Sequence, residues 1–257
     1  MDISPFGLMN SPLAAALAVA ASILVGLSKG GLPIVGMLSV PLLVFAMPPL
    51  AAASLILPIY IASDVVGVYL YRHQFSARNL AILVPAAFVG VAIAWATVSI
   101  VPERALTGAI GVIGILFCID AAWKRRHVLP PRPADVPRGL FWGVLLGITS
   151  FVANAGAPPF QFYVLPQRLA KMVFAGTSTI LFAAVNWMKL FFFWELGQIS
   201  VERSLFATLV LLPAAIAATF AGAWITRRLE EKAFFQLVEW MLLATSILLL
   251  YRAIWGA

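Results

Sequence analysis

The sequence predicts an all-α, polytopic membrane protein, an inverted repeat of two five-segment halves with short Gly/Pro-broken helices in each half. Three observations lead there: a composition too apolar for a water-facing surface, apolar segments of spanning length punctuated by Gly and Pro, and basic residues confined to alternate connections. Of the 257 residues, 63% are hydrophobic and 11% charged, whereas soluble domains carry about 25% charged residues. Mean hydropathy is +1.01, so the length divides better into spans of roughly 20 residues than into soluble domains. The net charge of +7 does not indicate nucleic acid, because the basic residues sit in short connections between apolar runs. Cys118, the one cysteine, lies within an apolar run and offers neither a disulfide framework nor a metal cluster. There is no metal-ligand spacing, nucleophile–base arrangement or phosphate loop, so no cofactor and no enzyme activity are expected.

Ten apolar segments follow in order, at 12–28, 31–47, 50–71, 80–101, 105–123, 139–154, 157–167, 171–194, 205–226 and 233–251. Met1, Asp2 and Ile3 lack a basic lead-in, so the first apolar stretch is expected to stay in the mature chain. The first two segments of each half are short for a tilted span. They are interrupted by Gly30, Gly31, Pro33 and Pro41 in one half and by Gly156, Pro158, Pro159 and Pro166 in the other. Lys124 to Arg138, with Pro130, Pro131, Pro133 and Pro137, reads as a basic linker. The chain therefore divides into a first repeat (1–123), a linker (124–138) and a second repeat (139–257).

The repeat shows at a constant offset of 125, where Gly31, Pro33, Pro41 and Ser54 match Gly156, Pro158, Pro166 and Thr179. At offset 128, Leu83-Val84-Pro85-Ala86-Ala87 matches Leu211-Leu212-Pro213-Ala214-Ala215, and Glu103-Arg104-Ala105 matches Glu231-Lys232-Ala233. Five segments per copy is an odd number, so the second copy should be inverted. Basic loops face the cytoplasm. Placing both termini in the periplasm puts Lys29, Arg72, Arg78, Lys124, Arg125, Arg126, Arg132, Arg138, Arg168, Lys171, Arg227, Arg228 and Lys232 inside, thirteen of the 17 basic residues.

Paired broken segments in inverted repeats are a transporter pattern, with the binding site where the breaks meet. A helix that starts inside the bilayer presents unpaired N–H groups and a positive dipole end, which can replace the water lost by an anion. The first break is Ser28-Lys29-Gly30-Gly31-Leu32-Pro33; the second is Ala153-Asn154-Ala155-Gly156-Ala157-Pro158-Pro159, with Asn154 in the place of Lys29. An ammonium and a carboxamide facing each other suit a small oxyanion. A cytoplasmic turn, with Lys29 as a topology signal only, is the plainer alternative. Asp64 and Lys189 occupy equivalent positions of the third and eighth segments. Charges at bilayer depth usually pair or line a pathway. The two would pair across the pseudo-twofold axis, serve proton coupling and substrate attraction respectively, or lie nearer an interface. Ser54, Thr177, Ser178 and Thr179 would line the route or bond to backbone carbonyls. Gln161 is a further pocket candidate, and Glu239 a proton carrier or a packing residue. Asp120 and Lys124 are expected to pair at a helix end, His73 and His127 to lie on loops, and Phe191-Phe192-Phe193-Trp194 to anchor at an interface.

On Gly26-Leu27-Ser28-Lys29-Gly30-Gly31 ahead of Pro33, the duplication, the basic linker and Asn154-Ala155-Gly156, the chain resembles the sulfite exporter TauE/SafE family over nearly its whole length. The resemblance implies a multi-pass permease of the bacterial inner membrane for sulfite, sulfoacetate or a related organosulfur anion, with the lipid bilayer and that anion as its partners. The leading expectation is a secondary transporter working by alternating access. A cation or proton-coupled permease, a membrane enzyme and a non-transporting membrane subunit remain as alternatives.

Overall fold

A computed structural model describes residues 12–43, 46, 49–97, 108, 111–112, 115–116, 119, 131–195 and 201–255. Among them there are helices and no strands. The elements are α1 (Pro12–Lys29), a 3₁₀ turn (Pro33–Leu38), α2 (Ser39–Leu43), α3 (Pro49–Tyr71), α4 (Ala77–Thr97), α5 (Val136–Ala153), α6 (Ala157–Val164), a second 3₁₀ turn (Leu165–Gln167), α7 (Lys171–Glu195), α8 (Val201–Arg228) and α9 (Glu231–Trp255). Among the described residues five stretches are long and apolar enough to cross a bilayer: α1, α4, α7, Ala207–Arg228 of α8, and α9. In hydrocarbon a helix satisfies its own backbone, which is why apolar runs of this length fold this way. Phe88, Trp187, Phe220, Trp224 and Trp240 are exposed, an apolar surface suited to lipid. The chain is a multi-pass membrane protein.

The second and seventh expected segments are short pieces, as their Gly and Pro content suggests. The second is a 3₁₀ turn followed by the five-residue α2; the seventh is the eight-residue α6 followed by a 3₁₀ turn. The fifth expected segment, with Cys118 and Asp120, lies mostly outside the described residues, as do Lys124 and His127 of the linker.

Helices pair across the chain in matched sets. α1 packs along α8, and α5 along α4; α3 meets α8, and α7 meets α4; α3 and α7 meet each other. The 3₁₀ turn Pro33–Leu38 touches α1 as α6 touches α5, and the turn and α6 touch each other. The long interfaces are close because small residues let backbones approach. A Cβ on Gly26 would overlap the Ala215 carbonyl, one on Gly90 the Val144 carbonyl, and one on Gly147 the Ala87 carbonyl.

A polar layer joins the two sequence halves at one end of the bundle. Asn79 and Gln167 exchange amide hydrogen bonds, Nδ2 donating to Oε1 at 2.9 Å and Nε2 to Oδ1 at 3.2 Å. Nearby, Arg78 Nε donates to the Ala134 carbonyl at 2.8 Å and the Tyr163 hydroxyl to the Asp135 carbonyl at 2.9 Å. Asp135 caps α5 by accepting from the Arg138 N–H at 3.0 Å.

Gly147→Val is expected to cost about 1–3 kcal/mol by overpacking the α4–α5 contact. Leu140→Val, at an exposed site of the same helix, should leave stability unchanged. Thermal melting of the detergent-purified chain checks both, and equal melting temperatures for the two variants would rule out so close an approach.

Candidate functional site

The site begins where α1 stops. Gly31 has φ +107°, and a Cβ there would lie 2.6 Å from the Tyr71 hydroxyl and 2.9 Å from Thr226 Oγ1, so glycine is needed both for conformation and for room. Carbonyls freed at a helix end in hydrocarbon need donors. The Gly30 carbonyl accepts from the Tyr71 hydroxyl at 2.6 Å and from Thr226 Oγ1 at 3.0 Å. The Lys29 carbonyl accepts from Thr179 Oγ1 at 3.4 Å. Hydroxyls from α3, α7 and α8 thus replace the missing turn.

The Lys29 side chain is 3% exposed, and its Nζ lies 2.6 Å from Oδ1 of Asp64, itself 1% exposed. Asn186 Nδ2 donates to the other carboxylate oxygen at 2.9 Å. The ammonium also sits 4.8 Å from the centre of the Tyr60 ring, one turn before Asp64 on α3. The Tyr60 hydroxyl donates to the Gly36 carbonyl at 2.6 Å and lies 3.1 Å from Ser39 Oγ, which holds the ring against the 3₁₀ turn.

The second break is built in parallel. α5 ends at Asn154, which takes the left-handed conformation with φ 50°, and the Ala155 N–H closes back on the Thr149 carbonyl at 3.0 Å. The Ser150 carbonyl in this last turn accepts from Lys189 Nζ at 2.8 Å, and the same ammonium donates to Asn154 Oδ1. Lys189 is 2% exposed. At the sequence offset of 125, residue 29 answers to 154 and 64 to 189, and both 29–64 and 154–189 are in contact. Asp64 therefore pairs with Lys29, and not with Lys189 as the cross-axis alternative had it. Asp64 and Lys189 each feel the other and Lys29.

Between the breaks lies a cavity of about 30 Å³. Lys29, Gly36 and Tyr60 line it from one half; Ser150, Asn154, Thr179, Phe182 and Asn186 line it from the other. Asp64 and Lys189 stand behind Lys29 and Asn154. Gly30 packs against Gly222, and Gly156 against Phe182 and Ser150; Ala155 is buried. Gln161 is fully buried one turn along α6 from Ala157 of the cavity wall, and neither of its amide atoms has a hydrogen-bond partner among the described residues. Thr177 Oγ1 accepts from the Ser76 N–H at 2.8 Å, and Ser178 Oγ donates to the Ala175 carbonyl at 2.8 Å; neither reaches the cavity wall. Glu239 is half-buried on α9, and the Ser54 side chain lies outside the described residues. The first break leads into a 3₁₀ turn whose first residue, Pro33, has no N–H. Positive charge on that side therefore comes from the Lys29 side chain and not from an α-helix start.

Tyr60, Ser150 and Phe182 belong to the wall without having been singled out in the sequence. Tyr60 alone carried a signal, its position four residues before an intramembrane acid.

An apolar helical bundle with a buried polar cavity between two broken segments belongs to the class of membrane transport proteins. The chain is a member of the sulfite exporter TauE/SafE family, whose model matches residues 14–249, and this is a family of membrane transporters of sulfur anions. Neither the curated proteins nor the solved structures include a match.

Removing one partner of a buried ion pair leaves a charge unpaired and costs about 3–5 kcal/mol, whereas replacing both with apolar residues is often nearly neutral. Lys29→Met should therefore destabilise strongly, and adding Asp64→Leu should recover most of the loss. A double-mutant cycle by thermal melting measures this coupling; simple additivity would show that the pair is not closed in solution.

Proposed function

We propose that the cavity is the anion site of a secondary transporter that exports a small sulfur-containing anion, such as sulfite, sulfoacetate or a related organosulfur anion. Export runs across the bacterial inner membrane by alternating access. One observation carries this reading. Lys189 is buried against two neutral oxygens, and among the described residues no carboxylate lies within ion-pair reach of it. An uncompensated buried cation is costly, and an anion arriving in the adjacent cavity removes that cost. Asn154, Asn186 and Tyr60 add polar atoms to the wall; α6 begins beside it, but Pro158 and Pro159 have no N–H, so its start adds little beyond the Ala157 amide.

Family membership supports the sulfur anion as cargo. The matched helix pairings, and the equivalent contacts 29–64 and 154–189, support two inverted halves, 1–123 and 139–257, joined by the linker 124–138. Both termini then face the periplasm. Gly30, Gly31, Ala155 and Gly156 shape the two breaks, and Thr179 bonds the end of the first. Gln161, next to Ala157 on α6, has a free amide to offer the bound anion.

The experiment is a thermal-shift panel on the purified chain with sulfite, thiosulfate, sulfoacetate, taurine, sulfate and chloride. A ligand at a hundred times its Kd stabilises the native state by about 2.7 kcal/mol. At least one sulfur anion is expected to do so, and Lys189→Gln, which keeps a donor for Asn154, should lose most of the shift. A shift in Lys189→Gln equal to that of the parent chain would take Lys189 out of the site, and no shift with any anion would overturn the anion reading.

A further inference from the structure

Three charged side chains surround the cavity: Lys29 and Lys189, each buried, and Asp64, buried between Lys29 and Asn186. Among the described residues, Lys29 with Asp64 is the one ion pair in this cluster. The inventory is two cations against one anion, and it arises because the second half does not repeat the ion pair of the first. Where residues 29 and 64 are Lys and Asp, their counterparts 154 and 189 are Asn and Lys. Each half keeps a bond between its break and its second long helix, α3 or α7, but only the first half keeps that bond neutral.

We propose that Asp64 sets the valence of the transported anion: by neutralising Lys29 it leaves the cavity one positive charge in excess, so the site takes monovalent sulfur oxyanions. The cargo class is then an alkylsulfonate or hydrogensulfite, which narrows the sulfur anions named above by setting aside divalent sulfoacetate, and sulfite is bound in its singly protonated form. This rests on the anion reading above. A monovalent ion at Lys189 brings the buried cluster to electrical balance. A divalent ion brings one negative charge too many, close to the Asp64 carboxylate, and like charges at short range in a poorly hydrated site are strongly unfavourable. A zwitterion such as taurine leaves the excess on Lys189 uncorrected. The Asp64 carboxylate is held in place on both oxygens, at 2.6 Å by Lys29 and at 2.9 Å by Asn186, so it is a fixed counter-charge. It acts on selectivity without forming part of the cavity wall, which makes it a specificity-determining residue and not a ligand.

The test is competition binding, by isothermal titration to the detergent-purified full chain at one fixed pH. The probes are methanesulfonate as a monovalent ion and sulfoacetate and sulfate as divalent ions. The parent chain should favour methanesulfonate by at least about tenfold in Kd, the ratio that a modest charge mismatch produces. Asp64→Asn raises the excess to two and should reverse the preference, shifting the ratio by on the order of 10- to 100-fold. The double variant Lys29→Gln/Asp64→Asn returns the excess to one and should restore the parental order. A merely structural role for Asp64 predicts no such restoration. Tighter binding of the divalent ions by the parent chain would overturn the proposal by itself, whether or not any variant folds. So would an unchanged ratio in Asp64→Asn, or a double variant that behaves like Asp64→Asn. If no anion binds the parent chain, the anion site itself is lost, an outcome distinct from binding without valence preference.

Discussion

An ammonium group buried within a hydrocarbon slab must be met by an acceptor, and the rest of the site follows from how Lys29 is met. A lysine or aspartate near the bilayer centre costs at least about 2.5–3.5 kcal/mol. Here each is held by the other at 2.6 Å. Lys29 is also the last residue of α1, and ending a helix in an apolar medium strands its carbonyls. The hydroxyls of Tyr71, Thr179 and Thr226 take them up. One ion pair therefore brings α3, α7 and α8 to a single point on α1, and the glycine at position 31 makes the turn that leads away from it.

The second break obeys the same constraint with different chemistry. Asn154 cannot neutralise Lys189, yet it accepts from it, and the Ser150 carbonyl freed at the end of α5 accepts too. A protein that needed these contacts only for cohesion would be served equally well by two ion pairs or by two apolar contacts. Keeping one pair and one lone cation leaves a residual field at the cavity. That asymmetry is what the anion site proposed above rests on, and membership of a family of sulfur-anion transporters agrees with its sign.

Much of this was legible in the sequence. Composition and apolar length indicated the membrane setting, and Gly and Pro marked both breaks, where Gly31 and Asn154 have positive φ; Lys29, counted among the basic loop residues, is instead buried in the bundle. Lys29, Asn154 and Thr179 do line the cavity. What stayed hidden was rotation and partnership. Thr177, Ser178 and Thr179 are consecutive, but a helix turns roughly 100° per residue, so only one of the three meets the cavity. The choice of Lys29 as the partner of Asp64 depends on where α1 ends against α3, which no local pattern encodes. Tyr60 reads as one more aromatic in an apolar run until its ring is seen beside the Lys29 ammonium. The 3₁₀ form of Pro33–Leu38 was equally unreadable, because proline at a helix start is compatible with either geometry.

The interleaving of the helices limits how such a molecule can open. α1 belongs to the first half of the chain but lies backbone to backbone with α8 of the second; α4 lies in the same way against α5. Glycine-mediated seams of this kind do not slide, since any shift drives a carbonyl into a neighbouring helix. The closest helix pairs therefore each join an early helix of the chain to a later one, α1 with α8 and α4 with α5. Under the alternating access proposed above, the short pieces Pro33–Leu38 and α6, which lie outside these seams, are the elements left to move.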